Sequence, residues 1–445
     1  MRNPVLRPQI LLAALGLVIP LVIPLVILRA AVAQPEGWST DAFLCRDLKL
    51  EPPLRIEACS RALQAPSLSA NVQVGLLSQR AMALDERGDY RRAVQDYDAA
   101  IVLTPNDPAL YLNRGVAKIR GGSPAAAIPD YDAAIRLKPD WHLPYFDRAV
   151  ALSDLGQRAA ALADYQRAIA RNPDDAWIYV GEGDVHAAGG DDVAALAAYD
   201  QALKLRPDLD KAYMRRAKAL LRLDRPQEAV AEMDRALAKI DGKADWRQLR
   251  AAAKFELADF SGAVADLARA AGLAPQDADV LRDLARAYLA AGDAQVDHLG
   301  AADEAATLAL QIAGNDAANI LLAGQVALAD GRRQEAEALA RRAVALKPGD
   351  AQAQALLALS LPAGAEAAKA AQAAADFAPQ DAELRAVAAA LGAEVAGAAP
   401  QPSEATPASK LLAGCIAALE AGDAQAAAAA GARWSLCHLA AAQIR

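Results

Sequence analysis

Small and large apolar residues return along this chain with a period of about 34 residues, and polar residues fill the intervals. Alanine stands at Ala93, Ala127, Ala161, Ala195, Ala229 and Ala263, and again at a second place in each unit, from Ala100 to Ala270. Between the two alanines sits one large residue per unit: Tyr97, Tyr131, Tyr165, Tyr199, Met233 and Leu267. Pro105, Pro139, Pro173, Pro207 and Pro275 close five of these six units, and Asp241 takes the place once. In the first unit the pattern predicts two helices, Leu76–Arg87 and Tyr90–Leu103, separated by a turn at Gly88-Asp89. A methyl group allows two helices to approach closely, so the alanines mark helix crossings. Proline has no N–H to continue the helical ladder and stops the second helix. One such pair cannot bury its own apolar stripe; neighbours must stack, which makes the fold an all-α solenoid.

The same pattern resembles the tetratricopeptide repeat family. First helices carry the family's small residue at Ala81, Gly115, Ala149, Gly183, Ala217, Ala251 and Ala285. The bulky place one helical turn earlier holds Leu77, Tyr111, Tyr145, Tyr179 and Tyr213. The resemblance covers about nine units over residues 74–381, the last one degenerate, and implies a right-handed superhelix of stacked helix–turn–helix units. Unit 278–316 carries extra residues near Asp293–Gly300, and the ninth unit turns at Pro362-Ala363-Gly364. Pro129 falls inside a second helix, where a kink is expected. Beyond Ala351 alanine dominates both faces, so a loosely packed, frayed array end is expected.

Around the array, residues 1–33 read as an export signal. Arg2 and Arg7 precede the apolar run 10–28, and Ala31-Val32-Ala33 offers a cleavage site. The run also has the length of a membrane span, so an uncleaved anchor is the alternative. Both readings place the repeats outside the cytoplasmic membrane: in the periplasm, or tethered to the inner membrane by residues 10–28. Residues 34–73 form a cap or half-repeat with Cys45 and Cys59. Residues 382–410 are rich in Ala and Pro and suit a linker. Residues 411–445 predict a helical hairpin turning at Gly422-Asp423, with Cys415 and Cys437 on opposite arms. It is either a cap or a tethered module. Four cysteines allow three pairings; proximity favours Cys45–Cys59 and Cys415–Cys437, which an exported compartment permits.

The net charge is −8 with no basic cluster, which argues against nucleic acid and anionic lipid as partners. The interspersed charges read as solvated helix faces. Phosphate-loop, dinucleotide, zinc-hydrolase and nucleophile-elbow motifs are missing from the sequence, and its four histidines are far apart. The chain reads as a non-enzyme without cofactor or metal. In the family it resembles, first helices line a concave groove that holds a protein partner. Carried over, the partner-binding places are Leu112, Val116, Ile119, Phe146, Val150, Trp177, Val180, Asp184, Lys211, Met214, Lys218, Leu221 and Arg222. They make an apolar stripe with Trp177 and Phe146 at its middle and cations on one side. A groove of that kind suits a peptide segment or helix of an envelope protein. A spacer assembling through its ends or convex face, or an accessory subunit of an envelope enzyme, are the other readings.

Overall fold

A computed structural model describes residues 40–391 except 241 and 292–297, then residue 393 and separate positions between 415 and 440. The signal segment, residues 292–297 of the seventh unit, the Gly422-Asp423 turn and Cys437 lie outside the described residues, whereas 298–300, also expected among that unit's extra residues, begin a helix. Every regular element among the described residues is a helix. The chain divides into two compact units, residues 1–104 and 105–445.

The first unit holds α1 (Thr40–Arg46), α2 (Pro52–Ala62), α3 (Ala70–Glu86) and α4 (Tyr90–Leu103). A disulfide joins Cys45 of α1 to Cys59 of α2, both fully buried. Helix α1 was not expected: it is a single short element that the repeat pattern does not reach. Helix α3 starts earlier than the pattern predicts, at Ala70.

The second unit runs α5 (Pro108–Arg120), α6 (Pro124–Leu137), α7 (His142–Asp154), α8 (Arg158–Arg171), α9 (Ala176–Ala188) and α10 (Asp192–Leu205). It continues through α11 (Asp210–Arg222), α12 (Pro226–Leu237), α13 (Ala244–Glu256), α14 (Phe260–Leu273), α15 (Ala278–Ala291) and α16 (His298–Ile312). The last pairs are α17 (Ala317–Ala329) with α18 (Arg333–Leu346) and α19 (Ala351–Ser360) with α20 (Ala365–Phe377), followed by α21 (Ala382–Ala390). Within this unit each helix packs on the next in sequence, as a stacked solenoid requires. Each odd helix also touches the next odd helix, whereas no even helix touches the next even one among the described residues. The odd helices therefore crowd together on the inner side of the bend, and the even helices splay on the outer side.

Local chemistry enforces this order. The recurring alanines are fully buried, and Tyr131, Tyr165 and Tyr199 fill the gaps between helices. Where the odd helix carries glycine, the tyrosine comes closest: a Cβ at Gly183 would stand 2.5 Å from the Tyr199 ring. The hydroxyls of Tyr111, Tyr145, Tyr179 and Tyr213 donate to the carbonyls of Pro105, Pro139, Pro173 and Pro207, pinning each odd helix to the turn before it. The turns inside the pairs need a left-handed residue: Gly122, Gly156, Gly190 and Gly331 supply it, and Asp224 and Ala258 adopt it without being glycine. Helix α6 runs unbroken from Pro124 through Pro129 to Leu137.

Two expectations change. Many charges are not solvated faces. Arg114–Asp130, Arg148–Asp164, Arg216–Glu232 and Arg250–Asp266 join odd to even helices at one constant spacing, with each acid buried. Arg148 and Arg250 also reach back to Asp132 and Asp234 of the preceding pair. In the α9–α10 pair Glu182 takes the arginine's place and accepts from Gln166 instead, and burial raises its pKa.

The second change concerns the array end, which is tightly packed rather than frayed. Ala353 and residues 355–361 of α19 and its cap are buried. Residues 382–390, expected in a linker, form α21 with most of its side chains buried. Cys415, Ala427, Leu436, Leu439 and Ala440 lie in the same apolar cluster as α19–α21 and supply the missing bulk. Cys415 is disulfide-bonded.

Candidate protein-binding surface

The inner wall is built from odd helices, so residues on α5 to α13 that face along it are the candidate site. The apolar stripe expected there is largely consumed by packing. Leu112 and Val180 are buried, and Val116 and Ile119 pack beside Leu112. Phe146 stands edge-on to Tyr165 at 6.0 Å between ring centroids, and Val150 packs in the same cluster. Leu221 and Met214 pack against the core around Met233. Apart from Met214, which is only partly buried and also lines the cavity described below, these side chains seal seams between adjacent helices, a role that a concave position on a helix can fill without being free to bind.

Trp177 differs. It lies on α9 with 37% of its surface exposed. Lys211 Nζ lies 5.5 Å from its ring centroid and the Arg206 guanidinium 5.9 Å, so the ring is bracketed by cations. Asp175 fixes the start of α9 by accepting from the Trp177 backbone N–H at 3.0 Å.

Immediately along the wall, α11 and the start of α13 enclose a cavity of 410 Å³ lined by Asp210, Lys211, Met214, Arg215, Lys218, Lys243, Asp245 and Trp246. Three of the expected residues, Lys211, Met214 and Lys218, therefore meet at one site beside Trp177. Four cations face two carboxylates there. Arg215 is partly spoken for, since its Nε lies 3.2 Å from Asp184. Asp184 in turn accepts from the Tyr199 hydroxyl at 2.8 Å, which ties it to the core. Among the described residues neither Lys218 nor Lys243 has an ion pair. Arg222 does not join this group: it donates to both carboxylate oxygens of Asp192 at the start of α10, at 2.5 Å to Oδ1 and 3.0 Å to Oδ2.

Asp210, Arg215, Lys243, Asp245 and Trp246 were not foreseen. Arg215 follows Met214 by one place, turned partly toward the preceding helix, and Lys243 belongs to the connection before α13. The unmatched charge of that connection was the available signal. Elsewhere on the wall burial pushes Asp147 up to about 7 and raises Asp283 above the usual carboxylate range. No group of His, Cys, Asp and Glu that could hold a metal occurs among the described residues. No helix among them is long and apolar enough to cross a membrane.

The family model described as tetratricopeptide repeat matches residues 78–140, 146–210 and 194–245. Those spans coincide with the helix pairs from α3 to the start of α13. The chain carries tetratricopeptide repeats. Arrays of this family are scaffolds for contact between proteins, and the coarse function of the chain is accordingly protein binding. Solved structures with a similar course include MamA, at 25% identity over 39% of this chain and 95% of that one, with a TM-score of 0.35. PilW, a widely conserved type IV pilus biogenesis factor, is 23% identical over 48% of this chain and 98% of its own, with a TM-score of 0.44. A tetratricopeptide repeat protein from Parabacteroides merdae is 17% identical over 65% and 99%, with a TM-score of 0.42. Comparison with curated proteins gave no match.

Proposed function

We propose that this tetratricopeptide repeat protein is a non-enzymatic adaptor of the cell envelope that holds an acidic, partly apolar stretch of a partner protein along the inner wall of α9, α11 and α13. The observation that carries this is the cationic cavity beside the half-exposed Trp177. Lys218 and Lys243 present charge with no ion-pair partner among the described residues, and Met214 and Trp177 present apolar surface at the same place. An aromatic anchor next to cations is the composition of an energetic centre in an interface. The protein as a whole is acidic. An acidic segment is repelled over most of the surface and attracted at this cavity, which sets its register more than its raw affinity. Residence in the envelope rests on the export-type amino terminus and on cysteines held as disulfides, a state that oxidising compartments maintain.

Selection from a bead-bound nonapeptide library of equal acidic, basic and neutral shares tests the reading. Enrichment of sequences pairing Asp or Glu with Leu, Phe or Met, lost when Lys211→Glu and Lys218→Glu are combined, is the expected result. Recovery of all three shares equally contradicts it.

A further inference from the structure

One repeat beyond the cationic cavity, the inner wall carries a recess of 130 Å³ between α13 and α15. Its floor is apolar: Ala251 and Leu267 are buried, and Phe255 packs in the same cluster. The Phe255 ring is held from two sides, edge-on to Phe260 at 5.1 Å between centroids and 5.1 Å from the Arg286 guanidinium. Ala252 is exposed at the rim and accounts for the hollow. The repeat sets Lys218 of α11, Ala252 of α13 and Arg286 of α15 at one place in three successive units. The outer two carry long cationic side chains, whereas the middle helix offers only a methyl group. Neither Lys218 nor Arg286 has an ion pair among the described residues. Glu256 and Asp283 also line the recess, and Asp283 accepts from Gln248 Nε2 at 2.6 Å.

We propose that this recess receives one aliphatic side chain of the bound partner, with acidic residues on both sides of it lying against Lys218 and Arg286. The proposal rests on the reading of the cationic cavity as the site of an acidic segment, and it extends that site by one repeat. Helix α13 makes the two continuous: Asp245 and Trp246 line the cavity, and Gln248 and Ala252 line the recess. Each kind of side chain has one favourable place. The carboxylates of Glu256 and Asp283 repel an acid from the recess itself, which leaves acids to the flanking cations. A cationic side chain meets Arg286 at the same rim and loses water against Phe255 and Leu267. An aliphatic one buries apolar surface at no such cost. Because Phe255 is already fixed by its neighbours, little side-chain freedom is lost on binding. The flanking charges then set the register of the segment.

Three fluorescein-labelled nonapeptides test this, each with glutamates on both sides of a central residue that is Leu, Ala or Lys. Binding to the full chain is read by fluorescence anisotropy. The Leu peptide is expected to bind about tenfold more tightly than the other two. Ala252→Leu fills the recess from an exposed helical position. It is expected to bring the Leu peptide down to the affinity of the Ala peptide, which itself changes little. If that variant loses helical signal, Ala252→Gln makes the same comparison. Equal affinity of the three peptides overturns the proposal, as does a Lys peptide that matches the Leu peptide or a Leu preference that survives filling of the recess. Lys211→Glu combined with Lys218→Glu separates the recess from the cavity. Weakened binding by that variant, with no Leu preference in the parent, removes the recess and leaves the cavity. Unchanged binding by it, with the Leu preference abolished by Ala252→Leu, removes the cavity and leaves the recess. Absence of binding by all three peptides overturns both.

Discussion

Arg148 of α7 and Asp164 of α8 meet in a bidentate ion pair, at 2.6 and 2.8 Å, with the carboxylate almost wholly buried. The pair is one rung of a ladder running along the array between odd and even helices. Removing one partner strands a buried charge, which typically costs about 3–5 kcal/mol, whereas replacing both with apolar groups is often neutral. Arg167 also touches Asp164, so the loss is at the low end. Arg148→Met is expected to lower the unfolding free energy by about 3 kcal/mol. Arg148→Met combined with Asp164→Leu is expected to recover most of it. Urea denaturation of the three proteins makes the comparison.

Ala258 adopts φ 57° at the turn where other pairs use glycine. A left-handed alanine carries a penalty of roughly 1–2 kcal/mol that glycine avoids. Part of that gain is offset by the greater freedom glycine has in the unfolded chain. Ala258→Gly is therefore expected to stabilise the protein by about 0.5–1 kcal/mol, seen as a higher urea midpoint with unchanged slope.

Asp147 titrates near 7 because burial disfavours its charge, with Tyr131 and Tyr165 packed close by. Its folded pKa lies above the unfolded one, so the native state binds more protons between about pH 4 and 7, and this residue's contribution to stability falls as pH rises through that window. Asp147→Asn removes the charge at every pH. It is expected to raise the melting temperature clearly at pH 8 and little or not at all at pH 4.5, relative to the parent at each pH.

The Cys45–Cys59 bridge closes a loop of 14 residues between α1 and α2. Constraining a loop of that length stabilises by about 3 kcal/mol in the chain-entropy account. Replacing both cysteines by serine should expose α1 and α2 to proteolysis at concentrations that leave the parent intact, while the residues from Pro105 onward stay resistant. Mass spectrometry of the fragments reads the difference.

The helical fold was legible because the spacing of Ala, Tyr and Pro is local: each residue's role follows from its place in one repeat unit. The arginine–carboxylate ladder was not legible, since its partners lie on different helices and each looks like an ordinary surface charge within its own. The tight packing of α19–α21 was hidden for a related reason. Its alanines are too small to fill a core alone, and the side chains that complete it, such as Leu436 and Leu439, come from far downstream in the chain. On the candidate surface, Lys211, Met214 and Lys218 could be placed by register and do converge. Register alone could not separate them from Leu112 and Val180, because whether a groove position seals a seam or faces the hollow depends on the neighbouring helix. Lys243 and Trp246 sit where two units join, and no single-unit pattern assigns them.

Charge reversal with rescue bears on the binding site most directly. An acidic peptide obtained by selection on the unaltered protein is titrated against it and against Lys211→Glu combined with Lys218→Glu, by fluorescence anisotropy at low and high salt. The account predicts at least a tenfold loss with the reversed protein, a smaller loss at high salt, and recovery when the peptide's Asp and Glu residues are exchanged for Lys. Affinity that is indifferent to both reversals, with the helical signal unchanged, contradicts a binding site at the cavity of α11 and α13.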